Sequence, residues 1–232
     1  MAAGSPAGTS GAVIHWAFAY DLLVWLAARG KERAYRERLV QLARLAPGES
    51  VLDVGCGTGT LAIVAKQSVG PAGKVVGIDP SPEMIARARK KARRRMSRVD
   101  MRHVPEAKAA TDVIFEEAAG ERLPFSAATF DAVLSVTMLH HLPLEARRQC
   151  LFEIRRVLRP GGRLLAVDFG GPRSARRSWV AHLRHHARFD LREVIPLLSE
   201  AGLSSVEHGA LTGGLAPASG LYFVLAAAPG GD

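Results

Sequence analysis

Val51-Leu52-Asp53-Val54-Gly55-Cys56-Gly57-Thr58-Gly59 is a short apolar run that breaks into glycines at alternate positions. A run this short and this rich in Val and Leu reads as a buried strand, and glycines directly after it mark a turn where backbone approaches a ligand closely. Apolar residues from 60 to 68 then follow a helical pattern. Strand, glycine turn and helix together form the unit with which open α/β sheets hold ligands at the carboxyl ends of their strands. The spacing G-x-G-x-G departs from the dinucleotide fingerprint G-x-G-x-x-G, and Asp53, just ahead of the turn, repels a pyrophosphate and suits a cationic ligand.

Working outward, residues 74–78 read as a second strand that ends at Asp79, about twenty residues past the turn, where a carboxylate can accept both hydroxyls of a ribose. Upstream, Tyr35, Leu39, Leu42 and Leu45 recur at helical spacing over 31–46, and Pro47-Gly48 stops the pattern. Further strands are expected at 112–116, 131–136 and 163–168, with helices at 60–68, 82–96 and 144–158, the last ended by Arg159-Pro160-Gly161-Gly162. Asp190 and Glu193 fit a capping box that opens a helix over 191–201, which Pro196 should bend. Two final strands are expected at 205–211 and 221–227. This alternation predicts an α/β, doubly wound, mostly parallel seven-stranded sheet with an antiparallel C-terminal strand.

The chain has 232 residues, 48% hydrophobic and 23% charged, enough to bury one real core. A single domain over 12–228 is expected, with loose ends at 1–11 and 229–232. Two cysteines, Cys56 and Cys150, make no disulfide framework and point to a reducing compartment. The longest apolar window, 12–28, is short of the roughly 20 residues a bilayer span needs, and His15 and Asp21 interrupt it. It has neither the basic start nor the cleavage site of a signal peptide, so a cytoplasmic location is expected. A formal net charge of +9 favours anionic partners without choosing among nucleic acid, an anionic membrane surface and an acidic substrate.

With these residues in view the chain resembles the class I S-adenosylmethionine-dependent methyltransferases. The resemblance is to their small-molecule group, which includes quinone-biosynthesis C-methyltransferases and phospholipid N-methyltransferases. It covers residues 12–170 and is carried by VLDVGCGTG (51–59), VVGIDPSPEMI (75–85), ERLPFSAATFDAV (121–133), LHHLP (139–143) and EIRRVLRPGGRLLAVDF (153–169). It implies the Rossmann-like methyltransferase fold, S-adenosylmethionine as methyl donor, and a small or lipophilic acceptor such as a quinone, a phenol or an amine-headed lipid. It also implies that Gly55 and Gly57 pack against the methionine part of the donor, that Asp53 orients its amino group, that Asp79 holds the ribose, and that Pro80 and Met84 flank the adenine.

Relatives often carry an acid in a G-D-A-x-x-L-P-F stretch, whereas here residues 118–125 read Ala-Ala-Gly-Glu-Arg-Leu-Pro-Phe. Adenine recognition then falls to backbone near Ala119 and Gly120, or to Glu121. Ala19-Tyr20-Asp21 resembles the Y-D of a lid over the donor, which places Tyr20 at the site within an N-terminal helical lid over 12–46. The same segment, with Trp16, Leu23 and Trp25, equally fits a cover on the sheet or a face for lipid. Ser135, Val136 and Thr137 end the fourth strand where the donor should touch.

Methyl transfer from a sulfonium asks the protein mainly to align the acceptor and exclude water. His140 and His141 follow the fourth strand and are the candidates for a base, although a loop histidine can also serve only the backbone. Residues 170–190 are a candidate substrate cap. His182, His185 and His186 within them lack a partner set, so no metal is expected. Arg87 to Arg98 holds eight basic residues in twelve. A solvated helix face or an RNA or anionic-lipid patch would both fit it. No DNA partner is expected, and the absence of an N-P-P-Y motif or an RNA module argues against an RNA-associated basic methyltransferase. A non-catalytic S-adenosylmethionine-binding protein is the other alternative. Residues 99–111 add length between the expected 82–96 helix and the strand at 112–116.

Overall fold

The computed structural model describes residue 9 and residues 32–96, 113–170, 190–211 and 220–231. Tyr20, the 99–111 stretch, the cap residues 171–189 and the three cap histidines lie outside the described residues. Seven strands stand where the apolar runs predict them: β1 (Ser50–Val54), β2 (Lys74–Asp79), β3 (Ile114–Glu117), β4 (Phe130–Val136), β5 (Leu158–Phe169), β6 (Ser204–Ala210) and β7 (Leu221–Ala227). They pair in the order β3-β2-β1-β4-β5-β7-β6. The first five run parallel. β7 is antiparallel to both β5 and β6, so it is the one reversed strand of the sheet. Strand order reverses between β1 and β4, which opens a crevice at their carboxyl ends, the usual ligand position of such sheets.

Side chains alternate between two layers, as the pleat requires. Val51, Val75, Leu134, Leu165 and Val167 face α1 (Glu32–Leu42), α2 (Thr60–Val69) and α3 (Pro82–Met96). Leu52, Val54, Val133, Leu164 and Ala166 face α4 (Leu144–Val157) and α5 (Ile195–Glu200). By the same alternation Asp53 and Asp79 fall on the α1–α3 face, and Ser135 and Asp168 on the α4 face.

Three boundaries differ from the sequence reading. α1 stops at Leu42, four residues before the predicted end, because Arg44 takes a left-handed conformation (φ 52°). Leu45 N–H then donates to Val40 O and Arg44 N–H to Gln41 O, a Schellman closure made without glycine. The Arg163 guanidinium holds it by donating to the Ala43 and Arg44 carbonyls, both at 2.6 Å. Second, β5 begins at Leu158, so Arg159-Pro160-Gly161-Gly162 lies inside an irregular strand start beside a register shift against β4. Third, the 191–201 helix is divided into a 3-10 turn (Leu191–Val194) and α5, with Pro196 in the first turn of α5, where its missing N–H costs least. The capping box is not made: the Asp190 carboxylate accepts from the N–H and guanidinium of Arg192, and Glu193 N–H donates to the Asp190 carbonyl.

Lys66 is a buried cation that closes α2. Its Nζ donates to the carbonyls of Gly70 (3.0 Å), Pro71 (3.3 Å) and Gly73 (2.6 Å), in the turn that leads from the helix to β2. Lys66→Met should keep the stem and lose these bonds. We expect a loss of about 2 kcal/mol, read as a melting temperature lower by about 4–8 °C. An unchanged melting temperature would show that water replaces the ammonium without cost.

No helix among the described residues is long and apolar enough to cross a membrane. Among those residues, too, no group of three His, Cys, Asp or Glu side chains is placed to hold a metal ion.

Candidate active site

The glycine turn leaves β1 and doubles back over β2. Gly55 and Cys56 N–H both donate to the Ile78 carbonyl at 2.9 and 2.8 Å, which fixes the turn to the neighbouring strand. Gly55 is left-handed (φ 72°), and a Cβ there would sit 2.3 Å from Met138 Cγ, so the turn tolerates no side chain at this point. Lys91 of α3 holds the far side by donating to the hydroxyls of Thr58 (2.7 Å) and Thr60 (2.8 Å). In the same helix Arg89 donates twice to the Phe115 carbonyl. Two members of the basic run therefore brace the fold. Their one signal in the amino-acid order is their position beside the inward stripe of Ile85, Ala88 and Ala92.

Two carboxylates flank the turn. Asp79 ends β2 with both oxygens placed: Gly57 N–H donates to Oδ2 and Ser81 N–H to Oδ1, each at 2.9 Å. Burial raises its pKa above the ordinary value, and those two bonds work against the rise. Each oxygen keeps a further lone pair for a ligand hydroxyl. Asp53 is 2% exposed, and its Oδ2 has no hydrogen-bond partner among the described residues. Burial pushes its pKa up to about 7, with the Arg36 charge and the Ala62 N–H opposing and Asp79 adding to the rise. Arg36, on α1, shares the cleft wall with Asp53, Gly57, Thr58 and Thr137. One narrow cleft thus holds a buried acid and a base, complementary to a zwitterionic amino-acid group.

Thr137 is a second residue the sequence reading did not single out for its backbone. It is β-branched yet left-handed (φ 53°), an uncommon state that recurs at functional sites. Its N–H donates to Val167 O at 2.7 Å, which holds the strand end in place. Val136 and Thr137 line the cleft, whereas Ser135, one position earlier, is 1% exposed and faces the opposite layer with Val54 and Ala166. Period-two alternation sends these neighbours to opposite layers, and the buried Ser135 hydroxyl has no hydrogen-bond partner among the described residues.

The remaining predicted residues fall as follows. Pro80 is half-buried beside Asp79. Met84 is 2% exposed, accepts packing at the start of α3 and belongs to neither main core. Ala119 and Gly120 are buried at the end of β3, and a Cβ on Gly120 would lie 3.0 Å from Cys150 Sγ. Glu121 Oε1 accepts from the Thr9 hydroxyl at 2.8 Å. His140 and His141 sit in a 3-10 turn, Leu139–His141, at the carboxyl edge of β4. Their rings are 3.9 Å apart. Burial drives the thiols of Cys56 and Cys150 well above their ordinary pKa, which favours the un-ionised thiol at both.

Residues 51–162 match the methyltransferase-domain family. Over this stretch the chain is similar to the S-adenosylmethionine-dependent methyltransferases. It is 36% identical over 153 residues to a demethylmenaquinone methyltransferase of Thermus thermophilus, covering 66% of this chain and 62% of the relative. It is 34% identical over 155 residues to the ubiquinone/menaquinone biosynthesis C-methyltransferase UbiE of Geobacter sulfurreducens, covering 67% and 55%. The chain therefore spans about three-fifths of the length of these curated relatives. An S-adenosylmethionine-dependent methyltransferase of Aquifex aeolicus shares the fold, with a TM-score of 0.62, 22% identity and coverage of 83% of this chain and 88% of that one. The methyltransferase domain fits its donor on its own geometry: the orphaned buried Oδ2 of Asp53 meets the need of an ammonium, and the Asp79 carboxylate that of vicinal hydroxyls.

Proposed function

We propose that the chain transfers the methyl group of S-adenosylmethionine to a small or lipophilic acceptor of the quinol or phenol class. The carrying observation is the pair of a buried Asp53 and a half-buried Asp79, on one face at the carboxyl ends of β1 and β2 and separated by the braced glycine turn. The names of the curated relatives, quinone-biosynthesis methyltransferases, support the acceptor class. When bound, the donor supplies a methyl group already activated on a sulfonium, so the leaving group needs no protonation. What remains for the chain is to hold and to exclude. Asp53 and Arg36 would take the ammonium and carboxylate of the methionine part, Asp79 the ribose hydroxyls, and Pro80 and Met84 the adenine. Val136 and Thr137 would wall the reacting end against water.

The test is calorimetric titration with S-adenosylmethionine and with its demethylated product, beside Asp79→Ala. Wild type should bind both in the micromolar range, about −7 to −9 kcal/mol. The variant, lacking a charged acceptor for two hydroxyls, should bind at least about tenfold more weakly. No binding by wild type would sink the reading at its base. A cytoplasmic location with peripheral membrane contact belongs to the same proposal. The lipophilic acceptor class, buried free cysteines and a formal net charge of +9 support it.

A further inference from the structure

We propose that His140 is the base that takes the acceptor's proton and that Asp168 is the residue that positions it. This rests on the acceptor class read above. Asp168, one residue before the end of β5, is fully buried on the α4 face. Its Oδ1 lies 2.7 Å from His140 Nδ1 and accepts from Phe169 N–H at 2.8 Å, while Oδ2 accepts from His140's own N–H at 3.1 Å. A carboxylate can only accept, so Nδ1 carries the proton and Nε2 is the basic nitrogen. The ring's plane is fixed as well as its tautomer. Phe169 meets it edge-on at 5.0 Å, and His141 lies against it.

The turn that carries the ring is itself clamped. Arg147 of α4 donates from Nε to Leu139 O at 3.1 Å and from Nη2 to Leu142 O at 2.9 Å. Two residues before His140, the Met138 side chain rests against Gly55, which sets the imidazole at the same sheet edge as the donor cleft. A merely structural turn would need only a neutral acceptor for the His140 N–H. A buried carboxylate is costly, and this one, which also feels the Arg147 charge, stabilises the imidazole when it becomes a cation. The carboxylate also singles out His140 over its neighbour His141.

In the step, the acceptor hydroxyl proton passes to Nε2 and the O–H electron pair moves into the acceptor. The nucleophilic atom, oxygen or the adjacent ring carbon, bonds to the methyl carbon as the carbon–sulfur bond breaks, and that bond's electron pair stays on sulfur. If carbon is methylated, the ring proton it carried is lost to solvent as aromaticity returns. The imidazolium formed rests on Asp168.

The experiment follows single-turnover methylation of soluble 1,4-naphthohydroquinone by the whole chain. His140→Gln should slow transfer at least about a hundredfold, leaving donor affinity and melting temperature within error. Asp168→Asn should slow it less, leave the acceptor KM unchanged, and replace the single Nδ1–H tautomer with a mixture in imidazole ¹⁵N spectra. Added imidazole should restore part of the rate to His140→Ala. A His140→Gln variant within threefold of wild type would overturn the dyad alone, even if Asp168→Asn does not fold. Wild type that binds donor but never methylates the quinol would overturn the acceptor reading and this inference with it.

Discussion

Asp53→Asn should make the methyltransferase domain more stable at pH 8 and nearly unable to bind its donor. Burial lifts the Asp53 pKa from 3.8 to about 7, so the folded chain holds a proton there more tightly than the unfolded chain does. Stability from this group is complete below the unfolded value of 3.8 and is lost as pH rises through about 7. Over that span of roughly three units the buried charge comes to cost about 4 kcal/mol. Asn keeps the shape without the charge. Allowing for its own unmet amide, a net gain of about 2 kcal/mol, or about 4–8 °C, is expected at pH 8. The gain should vanish near pH 4.

The same charge is what an ammonium requires. Removing one partner of a buried charge pair costs about 2–4 kcal/mol, roughly thirty- to a thousandfold in Kd. Because the incoming cation favours ionised Asp53, wild type should also release a proton on binding at pH 6.5. Calorimetry in buffers of different ionisation enthalpy detects that release, and the variant should lack it. A variant that is less stable at pH 8, or binds donor normally, would remove Asp53 from the site. The expected trade of stability for binding explains why an orphaned acid is kept in a core.

Asp53 also shows how much the sequence discloses. Its acid, the glycines after it and the Asp79 that ends the next strand were legible because strand, turn and helix periods place them at one sheet edge without tertiary information. The seven strands, their mostly parallel run and an antiparallel C-terminal strand were legible in the alternation of elements, and the strand order was not. What stayed hidden depends on long-range contacts. Lys91 reads as one more charge on a basic helix until Thr58 and Thr60 are brought to it. Asp168 reads as the end of a strand until the β4 turn lays His140 across it. Arg36, in a helix predicted only as amphipathic, reaches the cleft because α1 packs over α2. Ser135 and Val136 could not be told apart in the sequence, because choosing which residue of a strand end faces the cleft needs the register.

Gly55→Ala is the second large effect, and its cause is separable. The left-handed conformation at φ 72° costs a residue with a Cβ about 1–2 kcal/mol. The methyl would also lie 2.3 Å from Met138 Cγ and 2.9 Å from its Cβ, so Met138 must move. Overpacking of this kind costs about 1–3 kcal/mol, for a total of about 3 kcal/mol and a melting temperature lower by about 6–12 °C. Moving Met138 drags the turn that carries His140, so methyl transfer should fall further than donor affinity. A double-mutant cycle divides the two causes. Met138→Ala removes Cγ, and in that background Gly55→Ala should cost about 1 kcal/mol less than in wild type. Strict additivity would mean that the backbone conformation carries the whole effect and that Met138 does not couple the glycine turn to the β4 turn. A coupling with recovered transfer rate would show that one side chain sets the distance between the donor cleft and the His140 edge.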